Sequence, residues 1–214
     1  YDRDTVFMKN LFRKKIEYLR AHPRVDIAYL LIGLALFATI TLLNVTHASI
    51  WFDEAFTAYI SQFSFGEIAR YTATDVHPPV YYWLVKLWSM MFGTSELAFR
   101  SLSIIFGAGV ITAATLLARR FFGRLVAGVT LLFLVLSPML IRYSDEARMY
   151  TLAAFIILIA TYVLVKANET SKRWQWVVYG LLVGLGMWTH YFTALAWLAH
   201  WGWRALVIRK TTKK

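Results

Sequence analysis

Six long apolar runs, residues 27–43, 102–118, 125–141, 150–165, 176–189 and 192–208, alternate with short clusters of Lys and Arg. No other feature restricts the fold as much. At about 1.5 Å per helical residue, runs of this length cross most of a roughly 30 Å hydrocarbon core. Hydrophobic residues make up 59% of the chain and charged ones only 16%, which is too apolar for a soluble domain. The expected fold class is therefore an all-α polytopic membrane protein. The formal net charge of +11 does not point to nucleic acid, because the basic residues lie in clusters between apolar runs and not on one face. The absence of cysteine excludes a disulfide framework, a thiolate zinc site and a cysteine nucleophile. Any catalysis falls to carboxylates, His, Tyr, Lys or Arg.

The N-terminal segment, residues 1–24, is basic, with apolar residues spaced as in an amphipathic helix lying on the cytoplasmic surface. The run after it is too long for a cleaved signal and reads as an anchor. Val80 to Phe92, with Lys86 in its middle, decides the topology. If it lies at the surface, the N-terminal cluster, Arg119, Arg120, Arg124, Lys166, Lys172, Arg173 and the tail from Arg204 all fall on one side, as cytoplasmic loops require. Six spans with both ends cytoplasmic follow, with an outer loop over 45–100 and a basic tail over 209–214. The glycine pairs Gly180/Gly184 and Gly107/Gly109 read as sites of close helix packing.

This topology gathers several polar stretches at the outer face. WFDEAFTAYISQF, residues 51–63, places Asp53 and Glu54 beside the membrane, where charge is costly and marks a functional site. Asp53 is equally suited to be the N-cap of a short interfacial helix whose apolar face is Phe52, Phe56, Tyr59, Ile60 and Phe63. Pro78 and Pro79 hold His77 at a rigid helix start, followed by Tyr81 and Tyr82, which suits either a ligand contact or interfacial anchoring. In PMLIRYSDEARMY, Arg142 and Arg148 are suited to a phosphate, or to pairing with Asp145 and Glu146. His190 interrupts an outer turn. His77, Asp75, His190 and the carboxylates lack metal-ligand spacing, so a divalent cation, Mg or Mn, stays open and no cofactor is assigned.

In order, the Asp53–Glu54 pair, HPPVYYWLVKLW, ELAFRSLSIIFGAGVITAATLLARRFFGRL, LSPMLIRYSDEARMYTL and WTHYF resemble the N-terminal module of family 39-like glycosyltransferases of the GT-C superfamily, which includes protein O-mannosyltransferases and the aminoarabinose transferase of lipid A. The resemblance implies a GT-C-type helical bundle with interfacial helices in the first outer loop. It also implies transfer, with inversion, from a polyprenyl-phosphate sugar to a hydroxyl-bearing acceptor, a glycan, lipid or protein, at the outer face of a bacterial plasma membrane. Asp53 would be the general base, supported by Glu54; Arg142 and Arg148 would face the donor phosphate. His77, Tyr81 and Tyr82, together with Asp145 and His190, would lie near the donor. Members of the family are longer, and the C-terminal half is expected to be missing here, leaving room for a partner subunit. The alternatives are a non-catalytic lipid-linked sugar binder or transporter, and a scaffold subunit.

Overall fold

The computed structural model describes residues 23–45 and 49–211. The expected surface segment 1–24 falls almost wholly outside these residues, as does the end of the basic tail. The described residues form helices α1 (Pro23–Asn44), α2 (Phe52–Ile60), α3 (Phe65–Ala73), α4 (Val80–Phe92), α5 (Glu96–Phe122), α6 (Arg124–Val135), α7 (Pro138–Ser144), α8 (Tyr150–Thr170), α9 (Arg173–Met187) and α10 (Thr193–Thr211), and no strand. The fold is that of a helical membrane protein. Helices α1, α5 and α8 are each long and apolar enough to cross a membrane, and α6 with α7 supplies a fourth span if that bent pair counts as one. Helix α9, with 15 residues, is about 22 Å long and falls short of the core thickness.

The run 125–141 is not the single span its composition suggests. Its two helices meet at 57°. Pro138 has no amide hydrogen to continue the α6 ladder, and Ser137 caps the new helix by accepting the Leu140 amide at 3.3 Å. Gly123 makes the other sharp junction: its φ of +87 ends α5 and turns the chain into α6.

Charge pairs fix the direction of each helix. Near the start of α1, Asp26 binds Arg119 at 2.6 Å and Arg124 at 2.8 Å, and Arg120 pairs with Glu169 at the end of α8. At the opposite end the Val80 amide donates to the Trp188 carbonyl at 3.2 Å, tying the start of α4 to the end of α9. Helix α1 therefore runs opposite to α5 and α8, which run the same way. Helices α2 to α4 stay at one end, and the α5–α6 arginines share the other with the start of α1, as the charge argument requires. Helix α4 explains how Lys86 is tolerated: Tyr81, Tyr82 and Val85 are buried, Met90, Met91 and Phe92 are exposed, and the Lys86 ammonium reaches the Ser61 carbonyl at 3.4 Å.

Helix α5 is central, packing on α1, α4, α6, α7 and α8. Gly107 permits this: a Cβ there would collide with Ser144 and would lie 3.0 Å from Phe37. At Gly109 it would lie 2.8 Å from Phe155. The Gly180/Gly184 spacing does not do the same, since a Cβ at either position meets nothing within 4 Å. That face of α9 is turned away from the rest of the bundle.

Candidate functional site

Trp51, not Asp53, is the N-cap of α2, and Asp53 and Glu54 occupy its first turn. Glu54 reaches back to the Trp51 amide at 3.5 Å. The buried face of α2 is Glu54, Thr57 and Ile60, while Phe52 and Tyr59 are exposed. The expected aromatic stripe is thus split, because Glu54 needs the buried side to meet its partner. That partner is Arg100, at the start of the second turn of α5.

Arg100 and Glu54 are 3% and 2% exposed and form a bidentate pair: Nε donates to Oε1 at 2.8 Å and Nη2 to Oε2 at 2.7 Å. Glu54 Oε1 also accepts the Ala147 amide at 2.8 Å. Arg100 further donates to the Val45 carbonyl, to the Ser49 carbonyl at 3.4 Å, and pairs with Glu96. One buried ion pair therefore joins the end of α1, α2, α5 and the loop before α8. With both its oxygens so engaged, Glu54 is a positioning residue. Nothing in the spacing of the chain pairs it with Arg100. The available signal was a charge near the start of a long apolar helix, which must find a partner.

Asp53 lies on the other side of the same turn. Its carboxylate is one-third exposed and stands 3.5 Å from Nη2 of Arg148, which is 3% exposed. Arg148 Nη1 donates to the Asp53 carbonyl and to the Tyr82 hydroxyl, both at 3.4 Å. Nη2 lies 3.5 Å from the His77 ring nitrogens, and Asp75 stands 3.6 Å from His77 Nδ1. His190 faces His77 with ring centroids 5.6 Å apart and Tyr150 at 5.9 Å. Its Nδ1 accepts the Phe192 amide at 3.2 Å, so the ring's remaining hydrogen in the neutral form is on Nε2.

Tyr81 has a structural place. It is fully buried, and its hydroxyl is 2.8 Å from Ser103 Oγ, which donates to the Arg148 carbonyl at 3.1 Å. The Ser103 hydrogen being used there, Tyr81 is the donor to Ser103. Burial pushes Tyr82 up to about 12, so its phenol keeps its proton.

The structure therefore brings Asp53, His77, Tyr82, Arg148 and His190 together and sets Arg142 and Asp145 apart. Arg142 is 78% exposed and donates to Glu146 at 3.3 Å. It lies at the rim of an open cavity of about 830 Å³ on the Glu54–Arg100 side, which Asp145 also lines. Arg142 is six positions before Arg148, but α7 ends between them and the chain turns.

Burial and the Arg148 charge hold His77 below the ordinary histidine value of 6.5, against the pull of Asp75. Burial, then His77 and Arg148, hold His190 down as well. A histidine with a lowered folded pKa binds its proton more weakly than the unfolded chain does. Its contribution to stability is complete above pH 6.5 and is lost as pH falls through the folded values. Asp145, raised by burial to about 6, acts in the opposite sense, costing stability as pH rises toward that value. Thermal unfolding between pH 7.5 and 5 will therefore show a fall in midpoint that is smaller when His77 and His190 are both replaced by Gln.

Among the described residues no group of three His, Asp or Glu could hold a metal ion. The guanidinium of Arg148 lies between Asp53 and His77, where such an ion would sit, and the two cations would repel.

A buried arginine, a partly exposed carboxylate and two imidazoles of lowered proton affinity thus meet at one end of the helical bundle. Against known proteins, a model of the dolichyl-phosphate-mannose-protein mannosyltransferase family matches residues 76–214. The chain belongs to this family. No curated protein and no solved structure matches it. Membership in this mannosyltransferase family supports a membrane glycosyltransferase of the GT-C type, and the family implies a lipid-linked sugar donor. Asp53 and Glu54 precede the matched segment. Their contacts with Arg100, Ala147 and Arg148 join them to it.

Proposed function

We propose that the protein transfers a sugar from a polyprenyl-phosphate donor to an acceptor hydroxyl on the extracytoplasmic face of the membrane, with inversion, and that Asp53 is the general base. The observation that carries this is the accessible Asp53 carboxylate beside the buried guanidinium of Arg148. In a single displacement the acceptor oxygen attacks the anomeric carbon as its proton passes to Asp53. The bond from that carbon to the phosphate oxygen breaks, and polyprenyl phosphate leaves with the bonding electrons. Positive charge fixed beside the departing oxygen stabilises the charge developing there.

Arg148 supplies that charge and also orients Asp53. Tyr82 and His77 hold the guanidinium in place, and His190 closes the cluster behind His77. Arg142, which is solvated and paired with Glu146, has no such support as a phosphate ligand.

Arg148→Gln tests the phosphate role. Loss of one preorganised donor to a developing anion lowers kcat by about 10²–10³-fold. We expect kcat/KM for the donor to fall by at least that much. Unchanged donor kinetics in a folded Arg148→Gln protein would remove Arg148 from the leaving-group site.

A further inference from the structure

The cavity on the far side of Glu54 from Asp53 is not used by the chemistry above, and its lining is graded. Helices α1 and α7 both run toward this end of the bundle. Ile40 therefore lies about 6 Å deeper than Asn44, and Pro138 and Ile141 lie deeper than Asp145. The deep end is apolar. The shallow end carries Asn44, Asp145, Glu146 and Arg142, with Trp51 at the side.

Its charges do not favour an anion. Arg100 is committed to Glu54 and Glu96, and Arg142 donates to Glu146. Asp145 is the carboxyl left over, with Oδ1 buried and without a hydrogen-bond partner. Its acidity, weakened by burial to about 6, lets it exchange between hydrogen-bond donor and acceptor near neutral pH. At about 830 Å³ the space is the size of a small-ligand site.

We propose that this cavity binds an uncharged, polyhydroxylated head group joined to an apolar chain. A polyprenyl-phosphate donor would bring its phosphate to a place where carboxylates outnumber guanidiniums. An amphipathic polyol sets hydroxyls against Asp145 and Asn44 and its chain against Ile40 and Ile141.

The test uses the membrane-embedded protein in phosphatidylcholine vesicles. One photoprobe is decyl glucoside with a diazirine on its alkyl chain, and a second is decyl phosphate with the same group. We expect saturable labelling by the glucoside at residues 40–45, 49–51 and 138–146, competed by unlabelled decyl glucoside and much weaker with the phosphate. Asp145→Ala removes a hydrogen-bonding partner and lowers affinity about tenfold. Asn44→Leu lowers it at the rim by an independent change. Thermal unfolding confirms that each variant is folded. Equal or stronger labelling by decyl phosphate, or labelling that does not saturate, would overturn the proposal. Labelling is expected to survive Asp53→Asn, so a failure of the base assignment and a failure of the subsite are separately visible.

Discussion

Replacing Arg100 with Met is expected to destabilise the protein by about 3–5 kcal/mol, because it leaves Glu54 charged, buried and without its partner. Coulomb attraction alone does not decide the size of this effect. Both groups lost their water on folding, and each is compensated only by the other and by the surrounding hydrogen bonds. Deleting one cation therefore exposes the full desolvation cost of the remaining carboxylate. The damage spreads because the pair ties the Val45 and Ser49 carbonyls, α2 and the Ala147 amide to one point. Transfer activity is expected to disappear with it, since Asp53 and Arg148 are carried by the two segments that separate. The double variant Glu54→Met/Arg100→Met removes both charges and recovers much of the stability, as apolar replacement of a buried pair commonly does. It does not recover activity, because the hydrogen bond that holds the Ala147 loop is gone. A thermal unfolding series over the two single variants and the double variant measures this. Equal stability of all three with wild type would show that the pair holds nothing together.

Replacing Asp53 with Asn is expected to lower kcat by about 10²–10⁴-fold, the range typical of a lost general base. The substitution keeps the size of the side chain and its place in the first turn of α2, which Trp51 and Glu54 cap independently of it. Stability should change little, because Asp53 is one-third exposed and its contact with Arg148 is 3.5 Å long. Donor binding should be unchanged or slightly stronger, since a negative charge beside the phosphate site is removed. The informative pattern is a lowered kcat with a KM for donor that does not rise. A rise in KM at constant kcat would instead make Asp53 a binding residue.

Much of the fold is legible in the chain. Each apolar run lies largely in helices, and Val80–Phe92, with Lys86 at its centre, forms a helix of 13 residues. The partition of basic residues agrees with the structure, in which Asp26 meets Arg119 and Arg124. The break at Ser137–Pro138 was present as a proline inside an apolar run, but hydropathy alone passes over it. Site residues divide in the same way. Asp53, His77, Arg148 and His190 belong to polar stretches that topology alone brings to one end. The Glu54–Arg100 pair is 46 residues apart in sequence and exists only through tertiary packing, so no periodicity reveals it. Arg142 and Arg148 are close in sequence and alike in chemistry, yet one is solvated and the other buried, because the end of α7 falls between them.

Glycosyl transfer itself is tested most directly by following labelled sugar from a polyprenyl-phosphate donor added to the membrane-embedded protein, with a panel of hydroxyl acceptors present. The expected result is label in a glycoside of inverted configuration, release of polyprenyl phosphate, and loss of both in Asp53→Asn. Label that stays on the intact donor while crossing the bilayer, in wild type and Asp53→Asn alike, would contradict it.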